Sequence, residues 1–124
     1  MEYMIEHPFD PHNFFAVAKY LCGADRDEAR LRTAVSRAYY ACMLLARTRT
    51  GVREKRHIHS VVQGALKKLV GGSPLSQKLG ALERLRELAD YHLAPDNPLD
   101  RDWERNWSRA QTLAQDFIVK LDSL

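Results

Sequence analysis

The chain has 124 residues, of which 45% are hydrophobic and 28% charged; that is enough for one compact core, too short for two, and too apolar for a disordered segment. No apolar run approaches the roughly 20 residues a membrane-crossing helix needs. The formal net charge of +3 is unevenly spread, because Arg26 to Lys68 carries 11 basic and 3 acidic residues while both flanks are net acidic. A basic face of this kind fits RNA, an acidic protein partner, or simple solvation. The opening Met1-Glu2-Tyr3-Met4-Ile5-Glu6 is acidic where a signal peptide is basic, which predicts a cytoplasmic protein. We therefore expect one domain over residues 1–124.

In chain order, Asp10-Pro11 supplies a cap followed by a proline at the first helical position. The helix it starts should end near Gly23, with Phe14, Phe15, Ala18 and Leu21 inward. Asp27 to Thr50 predicts a long central helix, with Leu31, Val35, Ala38, Cys42 and Leu45 at steps of three and four and Gly51 as the stop. Cys22 and Cys42 have no metal-ligand spacing and read as buried, reduced thiols. The densest charge lies from Arg47 to Arg56. It reads as a solvated helix end and loop or, equally, as an RNA-backbone contact set of Arg47, Arg49, Arg53, Lys55 and Arg56.

A third helix is expected from His57 to Val70, using Val61, Val62, Ala65, Leu66 and Leu69 and closing at Gly71-Gly72. Ser73-Pro74 then serves as cap and first turn of a fourth, with Leu75, Leu79, Leu82, Leu85 and Ala89 inward and Ala94-Pro95 as terminator. After the turn-rich Asp96 to Asp100, a last helix places Trp103, Trp107, Ala110, Leu113, Phe117 and Leu121 on one stripe. That stripe is read as core in preference to a ligand-stacking surface. Five amphipathic helices on short links predict an all-α, antiparallel up-and-down bundle.

The chemistry is narrowed by what is missing. The sequence has no phosphate-cradling glycine loop, no zinc-spaced Cys/His set and no nucleophile elbow, so neither a cofactor nor a metal is expected. Two segments carry polar residues inside helix-periodic sequence: Ser36-Arg37-Ala38-Tyr39-Tyr40-Ala41, and Leu85-Arg86 followed by Ala89-Asp90-Tyr91-His92. Together, in this order and at this separation, they resemble the HEPN family of small prokaryotic α-helical bundles over most of the chain, from Phe14 to Leu121. The resemblance implies a metal-independent endoribonuclease, often a toxin or defence protein, whose site is an Arg followed four to six residues later by a His. Arg86 and His92 match it. The family also implies a homodimer with its site in the cleft between copies, and in some members an antitoxin nucleotidyltransferase that modifies a tyrosine two residues after the His. Here that position is Ala94. Glu87 departs from the Asn, Asp or His usual after the family's Arg, and it favours the alternative of a non-catalytic module that binds a nucleotide or docks on a nucleotidyltransferase. A ligand-free helical scaffold is the third reading.

Metal-free RNA cleavage requires a group to take the 2′-hydroxyl proton and a cation to stabilise charge on the phosphate, roles that suit His92 and Arg86. The helix dipole at the end of the fourth helix would favour protonated His92. Six residues span about 600° and about 9 Å of a helix, so the pair can converge only if the helix unwinds at His92 or two chains meet. The alternative is structural, with Arg86 paired to Glu83 or Asp90 and His92 idle at a helix end. Tyr39 and Tyr40 read as core and hydrogen-bonding residues bordering the cleft, with Asp90 and Tyr91 at its edge. His57 and His59 point about 200° apart on a helix, so they would not chelate together, although one could face the cleft. Arg53 and His59 share the spacing of Arg86 and His92. The latter pair is preferred because it ends the fourth helix, where the family places its site.

Overall fold

A computed structural model describes residues 9–124; the acidic opening, read above against export, lies outside them. Five α-helices form a bundle, α1 (His12–Leu21), α2 (Glu28–Thr50), α3 (Ile58–Lys67), α4 (Ser73–Tyr91) and α5 (Trp103–Asp122), with a short 3₁₀ turn at Pro98–Arg101. The described residues contain no strand, and no helix among them is long and apolar enough to cross a membrane.

The helix ends follow local chemistry. Asp10 accepts the His12 backbone N–H at 3.0 Å and so caps α1. Asp27 accepts the Arg30 N–H at 2.8 Å at the start of α2, a cap of the kind that contributes about 1 kcal/mol. Gly51 ends α2 in the left-handed region at φ 72°, with its N–H donating to the Arg47 carbonyl at 3.0 Å. Asp102 caps α5 through the Arg105 N–H at 3.0 Å.

The junction between α3 and α4 differs from expectation. α3 stops at Lys67, and Val70, though in register with the apolar stripe, is 97% exposed. Three tight backbone bonds turn the chain there, from Lys68 N to Ala65 O, Leu69 N to Leu66 O and Gly72 N to Leu69 O, and Gly71 takes φ 78°. Ser73 is the first helical residue of α4 and does not cap it; Gly72 holds the cap position without a side chain. A Cβ on Gly72 would lie 1.9 Å from the Leu66 carbonyl oxygen, so only glycine fits. α4 ends at Tyr91, three residues before Ala94.

α2 is the central helix and packs on the other four. Its inward face is mostly small (Ala34, Ala38, Ala41, Cys42 and Ala46), letting neighbours approach closely. Trp103, Trp107, Ala110, Phe117 and Leu121 are buried, so the aromatic stripe of α5 is core; truncating a buried tryptophan there would cost about 3–5 kcal/mol. Cys22 and Cys42 are buried free thiols, and burial pushes both above their ordinary pKa. α2 and α4 run antiparallel, because Ser36 bonds Asp90 while Tyr39, a turn further along, lies against Arg86. Gln63 likewise meets both Ser76 and Glu83, which sets α3 alongside α4.

Candidate functional site

The inward faces of α2, α3 and α4 meet around one guanidinium. Arg86 is 6% exposed, projecting from the last two turns of α4 against α2. Its Cζ lies 5.4 Å from the Tyr39 ring centre and 5.8 Å from those of Tyr40 and Tyr91, within the range at which a cation is attracted to an aromatic face. Glu83 and Asp90, one turn to either side, approach it only to 3.9 and 3.8 Å. Those are ion pairs too long to be hydrogen bonds. Both carboxylates are engaged elsewhere, Glu83 accepting from Gln63 Nε2 at 2.7 Å and Asp90 from the Ser36 hydroxyl at 3.2 Å. Arg86 Nε is left fully buried with no partner among the described residues. An unpaired buried donor costs about 1–3 kcal/mol, so its persistence calls for an explanation such as a ligand.

Tyr39 is completely buried, and its hydroxyl pairs with Nδ1 of His59. Burial first, and then the Glu83 carboxylate, push its phenol well above the ordinary tyrosine value, with Arg86 opposing. The phenol is therefore protonated at any working pH. The His59 ring centre is 5.5 Å from that of Tyr39 and 6.5 Å from that of Tyr40. Arg86 and His59 thus rest on the same two tyrosines.

His92 is placed differently. The helix does unwind at this residue, which adopts an extended backbone (φ −106°, ψ 103°) with its N–H on the Leu88 carbonyl. Its side chain is exposed, and no hydrogen bond or ion pair joins it to Arg86 among the described residues. Tyr91 and Leu93 beside it are 72% and 93% exposed. This helix end is tied down by Arg32, which no motif or spacing in the sequence marks out. Arg32 of α2 donates to the carbonyls of Leu88 and Ala89 at 3.2 Å and Leu93 at 3.3 Å, with its guanidinium 4.4 Å from the Trp103 ring. A cation on the orphan carbonyls of a helix C-terminus is favourable on both hydrogen-bond and dipole grounds.

The basic run divides. Arg47 Nε donates to the Val52 carbonyl at 3.2 Å and Arg49 to the Leu124 carbonyl, so both help to hold the fold. Arg53, Lys55 and Arg56 are exposed on the α2–α3 loop, without an ion pair among the described residues. That loop ends at His57, which caps α3 in a left-handed conformation (φ 54°) and is itself exposed. Such a conformation is uncommon for a non-glycine residue. His57 stays outside the Arg86 cluster, and His59, two residues on, enters it. An open groove of about 780 Å³ between the loop and α3 is lined by Val52, Arg53, Val61, Lys68 and Leu69 among others, and none of the Arg86 cluster borders it. Among the described residues no three His, Cys, Asp or Glu side chains are grouped as a metal would need.

No family model, curated protein or solved structure matches the chain.

Proposed function

We propose that this chain is a HEPN-like, metal-independent endoribonuclease of a toxin or defence system, acting as a homodimer with Arg86 and His92 at its site. The observation that carries the reading is the buried Arg86 guanidinium. Its Nε lacks an acceptor among the described residues, its neighbouring carboxylates are bonded elsewhere, and it lies on the helix whose end presents His92. A phosphate oxygen approaching the terminal nitrogens of this guanidinium would supply a charge-assisted bond that Glu83 and Asp90 do not. In the reaction, His92 takes the proton of a ribose 2′-hydroxyl and that oxygen attacks phosphorus. The bond to the 5′-oxygen breaks, and the leaving oxygen is protonated by the imidazolium of a second copy's histidine. Arg86 stabilises the charge that develops on the phosphate. The exposed Tyr91 and Leu93 flanking His92 support a contact between two copies at this end of α4. Arg53, Lys55 and Arg56 hold the RNA backbone.

The second reading, a non-catalytic module that binds a nucleotide or docks on a nucleotidyltransferase, rests on Glu87, and its docking form is also favoured by Glu83 and Asp90, which make the surroundings of Arg86 net acidic and less suited to RNA. Incubation with tRNA and total RNA in EDTA separates the two. Cleavage by the wild type, reduced at least about 100-fold in both Arg86→Ala and His92→Ala, is expected of the nuclease. Equally intact RNA in every lane transfers the assignment to the docking module.

A further inference from the structure

The Tyr39–His59 pair is unused by the reaction above, and its hydrogen-bond accounting has one solution. The Tyr39 hydroxyl is shut off from water, and its only partner among the described residues is His59 Nδ1. A buried O–H must donate. Were the imidazole proton on Nδ1, that nitrogen would donate to the tyrosine oxygen and strand the hydroxyl proton with no acceptor. The hydroxyl therefore donates to Nδ1, and the ring proton sits on Nε2, across the ring from Tyr39. Nε2 has no acceptor among the described residues, and His59 is only half-buried. Among the described residues the site thus contains two groups whose N–H donors lack acceptors, the Arg86 guanidinium, with its Nε buried, and His59 Nε2, delivered by different helices onto the same pair of tyrosine rings.

We propose that His59, locked by Tyr39 as the Nε2-protonated imidazole, is a second phosphate-binding donor beside Arg86, so that one phosphodiester is gripped from α3 and α4 together. In this tautomer His59 neither takes nor gives a proton in the reaction. It binds and orients the phosphate while His92 handles the proton. The inference rests on the nuclease reading for its ligand, but the tautomer and the grip can be measured without any cleavage.

Two measurements on the intact chain test it. Long-range ¹H–¹⁵N correlation spectra of the imidazoles should show His59 as the Nε2–H tautomer in the wild type and a mixture of tautomers in Tyr39→Phe; an Nδ1–H wild type overturns the lock. Fluorescence anisotropy with a labelled ten-thymidine oligodeoxynucleotide, which has phosphodiesters but no 2′-hydroxyl to attack, reads the grip. His59→Asn keeps an acceptor for Tyr39 at the Nδ1 position and removes the outward donor, so it should fold as the wild type does and bind about 10-fold more weakly. His59→Gln restores a donor near the Nε2 position and should recover part of that loss. Absence of wild-type binding, or equal affinity in His59→Asn, overturns the grip whatever the cleavage assay shows. Binding that depends on His59 alongside uncleaved RNA would retain the grip and remove only the nuclease chemistry.

Discussion

At the scale of single residues, Arg86 is costly to the fold. It has been taken out of water, meets two carboxylates only beyond hydrogen-bond range and keeps its buried Nε–H without a partner among the described residues. Replacing a whole buried ion-pair cluster by uncharged side chains of similar size is often neutral or stabilising, because desolvation outweighs poorly made ion pairs, whereas removing the cation alone strands its carboxylates. Uncharged amides at positions 83 and 90 would still accept from the partners those side chains already have, Gln63 and Ser36. A triple variant, Arg86→Met with Glu83→Gln and Asp90→Asn, removes both signs of charge together and is therefore expected to raise stability by about 1–2 kcal/mol in urea unfolding while, in the nuclease reading, abolishing RNA cleavage. Lower stability in that variant would assign Arg86 a structural role. Sequence alone makes Arg86 legible, through its place beside Ala89-Asp90-Tyr91. It does not single out His59. Spacing shows only that one of His57 and His59 could face the cleft and cannot choose between them; the structure brings in His59 and leaves His57 outside. A contact across 20 residues, such as Tyr39 with His59, leaves no periodic trace.

At the scale of helices, boundaries with a side-chain cap or a left-handed glycine are legible, as at Asp10, Asp27 and Gly51, because a single residue supplies the bond or the dihedral that ends the element. The α3–α4 junction is not, since Leu69 and Val70 continue the apolar stripe and only the packing of the turn ends the helix early. Gly72 is the residue on which that turn depends. Gly72→Ala would drive a methyl group into the Leu66 carbonyl and is expected to cost about 3 kcal/mol, read as a lower urea midpoint with unchanged slope. Gly64, whose added Cβ would meet nothing within 4 Å, is the control, and Gly64→Ala in the interior of α3 should stabilise by about 0.5–1 kcal/mol.

At the scale of the whole molecule, the bundle is legible from apolar spacing alone, whereas the partition of the basic run is not. The same five residues read alike in sequence, yet Arg47 and Arg49 bond backbone carbonyls and Arg53, Lys55 and Arg56 make no ion pair on the loop among the described residues. In the nuclease reading these three contact phosphates. Changing all three to Ala should then make the plot of log affinity for single-stranded RNA against log salt shallower by about 2 units, and an unchanged slope would remove the loop from the interface. The Arg86 cluster also has a consequence for timing. Its parts are made in the order Tyr39, His59, Arg86, and none of the three helices holds a site alone. A chain still leaving the ribosome carries two tyrosines and an imidazole with no guanidinium between them. If the finished protein is a toxin, its synthesis is harmless until α4 docks, so the interval between translation and folding is a safe period in which a partner could bind first.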